Sequence, residues 1–160
     1  MNVLWAPWRM AYLTGAAATA GCILCALPEL GDDPRAGILQ RASHAYLVLN
    51  AFPYATGHLM AVVTRHVGSL EELTAMEAAD LVGVTQKALG AIRQEYHPDG
   101  FNLGANEGRA AGAGVEGHLH MHIVPRWSGD TNFMPVVGSV KVMPESLEET
   151  FRRLAPYFTT

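Results

Sequence analysis

Along the chain the spacing of apolar positions switches between the two-residue period of strands and the longer period of helices. Residues 1–35 show little periodicity beyond the apolar turn CILCAL and read as a wrap around a sheet edge. From Gly37, GILQRASHAYLVLN predicts two short strands joined by a tight turn, the second being the β-rich run from Tyr46 to Leu49. GHLMAVVTRH, Gly57 to His66, predicts a strand apolar enough for the middle of a sheet, with His58 and His66 near its ends. Ser69 with Glu72 and Thr74 with Glu77 each match the capping-box spacing and predict two consecutive helix starts. In the longer helix Met76, Leu81, Val84, Ala88, Ile92 and Tyr96 form a core-facing stripe, and Pro98 and Gly100 stop it. GFNLGANEG and HLHMHIVPR predict two more strands on either side of the glycine-rich EGRAAGAGVEG. Pro144, Ser146 and Glu149 introduce a short C-terminal helix. The pattern is that of an α+β fold: a mostly antiparallel sheet of about five strands, one long helix and short flanking helices. A single domain over residues 1–160 is expected, with 1–35 as the N-terminal wrap and 128–160 as a C-terminal tail.

Composition narrows the function classes. A chain of 160 residues, 49% hydrophobic and 16% charged, has enough apolar surface for one core. Its net charge of −4 supplies no basic field for a nucleic-acid backbone, so polymeric nucleic acid is not an expected partner and any phosphate-bearing ligand is small. The apolar runs fall short of a bilayer span, and MNVLWAPWRMAYL lacks a basic segment followed by an apolar one; a soluble cytoplasmic protein is expected, with no membrane partner. The two cysteines, Cys22 and Cys25, are too few and too close for a secretory disulfide framework, which leaves thiol or metal chemistry.

Three of the seven histidines stand at alternate positions in GHLHMHIVPRW. In a strand His118, His120 and His122 share one face while Leu119, Met121 and Ile123 take the other. The outer two lie roughly 13 Å apart at a strand rise of about 3.3 Å, too far for ligands that sit about 2.0–2.3 Å from one zinc. The run is therefore a two-histidine metal site with a spare, a surface on which each imidazole has its own role, or a strand of partly exposed, satisfied histidines. A central histidine flanked by ordering partners suits a nucleophile. The preceding loop carries Gly108, Gly112, Gly114 and Gly117, whose backbone freedom allows N–H groups to converge on an anion. Beside histidines this reads as a phosphate cradle, and histidine can attack phosphorus to give a phosphoramidate.

HLHMHIVPR, with GFNLGANEG and LVLNAFPYATGHLMAVVTRH upstream, resembles the histidine triad (HIT) superfamily of nucleotide hydrolases and transferases, and the likeness covers nearly all of residues 22–127. LWAPWRM, AGAGVE and PRWSGDTNFMPVVG resemble the bacterial diadenosine tetraphosphate phosphorylase group within it. The resemblance implies a HIT-like fold and an adenylyl-histidine intermediate on His120, with His122 on the phosphate and leaving-group side. It further implies Asn50 as a ribose contact, Asn106 and the backbone of Gly112, Gly114 and Val115 as phosphate contacts, and Trp127 as lining of the nucleotide pocket. His58 would support the site; His44 and His97 have no assigned role. Ala113-Gly114-Val115 stands where many family hydrolases carry Gln-Ser or Gln-Thr, which leaves room for inorganic phosphate as second nucleophile. In the zinc-bearing branch the ligands match Cys22, Cys25, His66 and His118, a structural zinc; no organic cofactor is implied. The expected activity is phosphorolysis of diadenosine tetraphosphate to ATP and ADP by a homodimer in contact through the long helix and a sheet edge. The rivals are a hydrolase or phosphoramidase using the same histidine, a nucleotide-binding module without turnover, and a redox metalloprotein using His-x-His and Cys-x-x-Cys.

Overall fold

Five antiparallel strands form one sheet in a computed structural model that describes residues 21–130, 137 and 142–158. The stretch LWAPWRM and most of TNFMPVVG lie outside the described residues. The strands are β1 (Ile38–Arg41), β2 (Ala45–Leu49), β3 (Leu59–Val63), β4 (Gly100–Ala105) and β5 (His120–Arg126). Their order is β1-β2-β3-β5-β4, so the predicted central strand is central and the histidine strand inserts beside it.

Alternation sorts the sheet into two buried faces. Leu47 of β2, Leu59 and Ala61 of β3 and Ile123 of β5 pack on the long helix α3 (Ala75–Tyr96) through Leu81, Val84, Ala88 and Ile92. Tyr46, Val48 and Val62 point the other way and pack with Leu24, Ala36 and Ile38. Residues 22–36, expected along an edge, lie instead over this second face as α1 (Ile23–Glu29) and α2 (Asp33–Ala36). The signal was Leu24, whose neighbours in CILCAL gave a run too short for periodicity; it is 3% exposed.

Two expectations for the helical segment change. Thr74 caps α3 with both arms of the capping box, whereas Ser69 opens only a three-residue 3-10 turn and makes no side-chain cap bond. Met76 is 63% exposed because it stands one position off the buried stripe, whose place in the first turn of α3 is taken by Glu77 at 5%. The C-terminal helix α4 (Leu147–Leu154) starts at Ser146 as predicted and buries Leu154 against the same core. α3 ends at His97, which takes the left-handed conformation usual for glycine, with φ 48°.

Candidate active site

In antiparallel pairing, residues directly opposite share a face. Met60 stands opposite His122 and Val62 opposite His120, so both histidines lie on the face covered by α1, away from α3. β5 begins at His120, and His118 precedes it; it nevertheless continues the alternation, because Leu119 N–H donates to Val67 O and Leu119 is 3% exposed in the helix-facing core. The triad is no solvent-facing row, since His118 is 0% and His120 5% exposed.

Hydrogen-bond partners assign each ring's proton. His120 Nδ1 lies 2.8 Å from the His118 carbonyl, which only accepts, so Nδ1 carries the hydrogen and Nε2 keeps its lone pair. His118 Nε2 lies 2.6 Å from the Val63 carbonyl and is therefore the donor, which leaves its Nδ1 open. The third ring is set by His58, buried at 1% exposure. His58 Nδ1 accepts the Tyr54 N–H at 2.9 Å, so its proton is on Nε2, which donates to His122 Nδ1 at 3.0 Å. His122 thus carries its hydrogen on Nε2. Burial, and then the neighbouring His120, push the His122 pKa down and favour this neutral donor.

His58 is delivered by Gly57, whose φ of +76° and lack of a Cβ let the loop press on Tyr96; an added Cβ would stand 3.2 Å from the ring. Asn50, 7% exposed, accepts the Phe52 N–H at 2.8 Å through Oδ1 and lays its amide nitrogen 3.3 Å and 3.4 Å from the two nitrogens of His58. The sequence marked His58 as support; its place in a directed relay was visible only in the cross-strand geometry.

A cavity of about 730 Å³ opens beyond His122 between β4, the 54–56 loop, the end of β5 and residues 142–144. Among the expected ligand contacts His122, Asn106 and Trp127 border it, while Asn50, His120, Gly112, Gly114 and Val115 do not. Trp127 is fixed by its Nε1–H to the Tyr96 carbonyl at 3.3 Å. The glycine-rich loop is exposed at Gly112 and Gly114, turns at Gly112 with φ +87°, and is closed by an Arg109–Glu116 ion pair at 2.8 Å. Val115 packs at the edge of the second core with Cys22 and Met60, so the loop lies on the face that holds the triad.

At the other end of the triad Cys22, Cys25, His66 and His118 bring one potential ligand atom each to within 4.8 Å of one another. Cys22 Sγ is 3.2 Å and Cys25 Sγ 3.4 Å from His118 Nδ1, and Cys25 Sγ is 3.4 Å from His66 Nδ1. Tetrahedral zinc with bonds of about 2.0–2.3 Å separates sulfur from nitrogen by about 3.5 Å; the donor set fits. His66 lies beyond the end of β3, in the turn that carries it back to Gly117. Burial, then the adjacent Cys22, push the Cys25 thiol up, the electrostatic mark of two sulfurs sharing a site.

The HIT domain profile matches residues 34–129. The chain is 42% identical over 160 residues to the AP-4-A phosphorylase of Mycobacterium tuberculosis, covering 95% of this chain and 82% of that one. It is 32% identical over 112 residues to Protein hit of Bacillus subtilis, covering 70% and 75%. The crystal structure of a Zn-bound histidine triad family protein from Mycobacterium smegmatis superimposes with a TM-score of 0.69 at 25% identity, covering 86% of this chain and 92% of that one. With its five-stranded sheet, its alternating histidines and these relatives, the chain belongs to the HIT domain family.

Proposed function

We propose that this protein is a nucleotidyltransferase that cleaves diadenosine tetraphosphate by phosphorolysis to ATP and ADP. The observation that carries the chemistry is the His120 Nδ1–H bond to the His118 carbonyl, which presents Nε2 as a nucleophile. Nε2 attacks the α-phosphorus, the bond to the bridging oxygen breaks, and its electron pair leaves with ATP. The His120 ring, now substituted at Nε2, is cationic, and the His118 carbonyl stabilises it through Nδ1–H. His122 Nε2–H donates a hydrogen bond to the oxygens on which charge develops. ATP is a stable anion and needs no proton to depart. An oxygen of inorganic phosphate then attacks the same phosphorus, the P–N bond breaks, its electron pair returns to Nε2, and ADP is released. The sum is dinucleotide plus hydrogen phosphate giving ATP, ADP and a proton.

The likeness to AP-4-A phosphorylase supports the substrate. Gly114 and Val115, which carry no hydrogen-bonding side chains, support phosphate as acceptor. Asn106, Gly112, Gly114 and Val115 are assigned to phosphate oxygens, Asn50 to the ribose and Trp127 to the nucleotide pocket. A structural zinc would be held by Cys22, Cys25, His66 and His118; four protein ligands leave it no open position, and it would tie residues 22–25 to the sheet. No organic cofactor is required. No helix among the described residues is long and apolar enough to cross a membrane. The reading places the protein in the cytoplasm, whose reducing conditions suit the paired thiols, as a homodimer joined through α3 and a sheet edge.

The test is a phosphate titration with diadenosine tetraphosphate. Phosphorolysis raises turnover with added phosphate and yields ADP with ATP; AMP with ATP at every phosphate concentration would make the protein a hydrolase using the same histidine.

A further inference from the structure

We infer that the cavity beyond His122 seats the base of the departing nucleotide, with Asn102 on its edge, an assignment that rests on the adenylyl-transfer reading above. Direction comes from the relay. His122 Nδ1 is occupied by His58, so the hydrogen is on Nε2, and His122 borders the cavity. A fixed donor belongs on the side where negative charge accumulates, which is the leaving side. The polyphosphate is therefore drawn past His122, and its far nucleoside must lie further along β5.

Reach and size agree. At a rise of about 3.3–3.4 Å per residue, Val124 lies roughly 13 Å and Arg126 roughly 20 Å along the strand from His120, a gap bridged by a chain of phosphates and not by one. The cavity, about 730 Å³, falls in the range of about 300–1,000 Å³ typical of small-molecule sites. Its far end suits a base better than a phosphate. Arg126 is already bound, at 2.6 Å and 2.8 Å to Asp130 and at 2.8 Å to Asn102 Oδ1. Val124, Met143 and Trp127 line the same cavity.

Guanidinium only donates, so its bond fixes the orientation of the Asn102 amide: Oδ1 toward Arg126, NH2 elsewhere. The NH2 and the second Oδ1 lone pair form the donor and acceptor pair that asparagine offers adenine. The wall at Met143 is built in advance. Glu145, two residues on, receives Tyr96 Oη–H at 2.6 Å, Thr150 Oγ1–H at 2.7 Å and Arg153 Nη1–H at 2.7 Å.

The experiment compares kcat/KM for diadenosine tetraphosphate with that for adenosine 5′-tetraphosphate, which offers the same adenylyl group but no second base. Wild type is expected to favour the dinucleotide by about tenfold or more, the worth of a well-seated base. Asn102→Ala should lower that ratio about three- to tenfold, the range for one lost hydrogen bond, and Met143→Trp, which fills the cavity, should lower it further; melting curves confirm that both variants fold. Equal kcat/KM in wild type overturns the inference and leaves the adenylyl-transfer reading standing. A preference untouched by either variant also overturns it, placing the second base elsewhere. Cleavage of neither compound overturns both.

Discussion

His118 and His122 begin and end the same alternating run, both are held below the ordinary histidine pKa chiefly by burial, and they present opposite nitrogens. The difference lies in the neighbour. A backbone carbonyl, Val63 O, takes the Nε2–H of His118 and turns Nδ1 toward two sulfurs. A ring donor, His58 Nε2–H, takes the Nδ1 lone pair of His122 and turns a hydrogen toward the cavity. Strand alternation places imidazoles on a face; an acceptor or a donor across the sheet decides whether each becomes a ligand or a hydrogen-bond donor. His120 stands between them and takes its orientation from the backbone of the first.

Removing the midpoint should have the largest effect. His120→Ala is expected to lower turnover by at least about 10⁴-fold, as loss of a covalent nucleophile does elsewhere, while nucleotide binding measured by calorimetry persists. Early-quenched wild type should show the adenylyl mass on the peptide that contains His120; an adduct on any other residue would break the assignment.

The cavity end comes next. His58→Ala frees His122 to carry its hydrogen on either nitrogen, and kcat should drop about 100-fold, comparable to losing one preorganised donor, with KM within a few-fold of wild type. Nitrogen NMR of labelled histidine should show His122 protonated at Nε2 in wild type and a tautomer mixture in the variant. A loss confined to KM would mean that His58 shapes only the pocket.

At the metal end the readout moves from rate to stability. Purified protein should hold about one zinc per chain. Cys22→Ser should release it and lower Tm by about 6–12 °C, the equivalent of about 3 kcal/mol in a chain of this size, with a smaller change in kcat per folded molecule. Metal-free wild type with the same Tm as loaded protein would dissolve the contrast between the two ends.

Much of this contrast was legible in the sequence, and the limits have physical reasons. The apolar alternation of β2 and β3, the capping box at Thr74 and the period of α3 are local signals, and the fold follows them. His118, His120 and His122 were visible as a set because strand period and residue type coincided. His58 was legible as support for the site but not as the donor that sets His122, since that role depends on Tyr54 N–H and on a ring 64 positions away. Ser69 with Glu72 matched the capping spacing as well as Thr74 with Glu77 did; a one-turn segment with no buried residue gives the cap nothing to stabilise. The cavity was invisible because residues from four separate stretches border it.

The smallest expected effect sharpens how His66 is held. Arg65, next to it, binds Glu77 at 2.7 Å and 2.9 Å, and with the Thr74 N–H this holds the Glu77 carboxyl at about 2 against the opposing effect of burial. Because the folded pKa lies below the ordinary glutamate value of about 4.3, the contribution is complete above that value and is lost as pH falls from about 4.3 through about 2. Glu77→Gln should lower Tm modestly at pH 7 and flatten the wild-type decline over that acid window. Parallel melting curves for the two proteins across it would show that the carboxylate adds nothing.

The strand order also sets a schedule. β4 pairs with β5 alone among the described strands, and β5 docks between β4 and a β3 that precedes it by the whole of α3. During synthesis, β1, β2 and β3 can form a meander with α3 against it, while β4 waits without a partner until the histidine strand emerges. Closing that long loop is the costly, non-local event of folding. The Val63 carbonyl and the sulfurs that meet His118, and the ring that orients His122, are brought to their histidines by the same docking, while the carbonyl that orients His120 lies two residues before it in the same segment. The metal end and the donor end of the triad are thus set together, with the finished sheet.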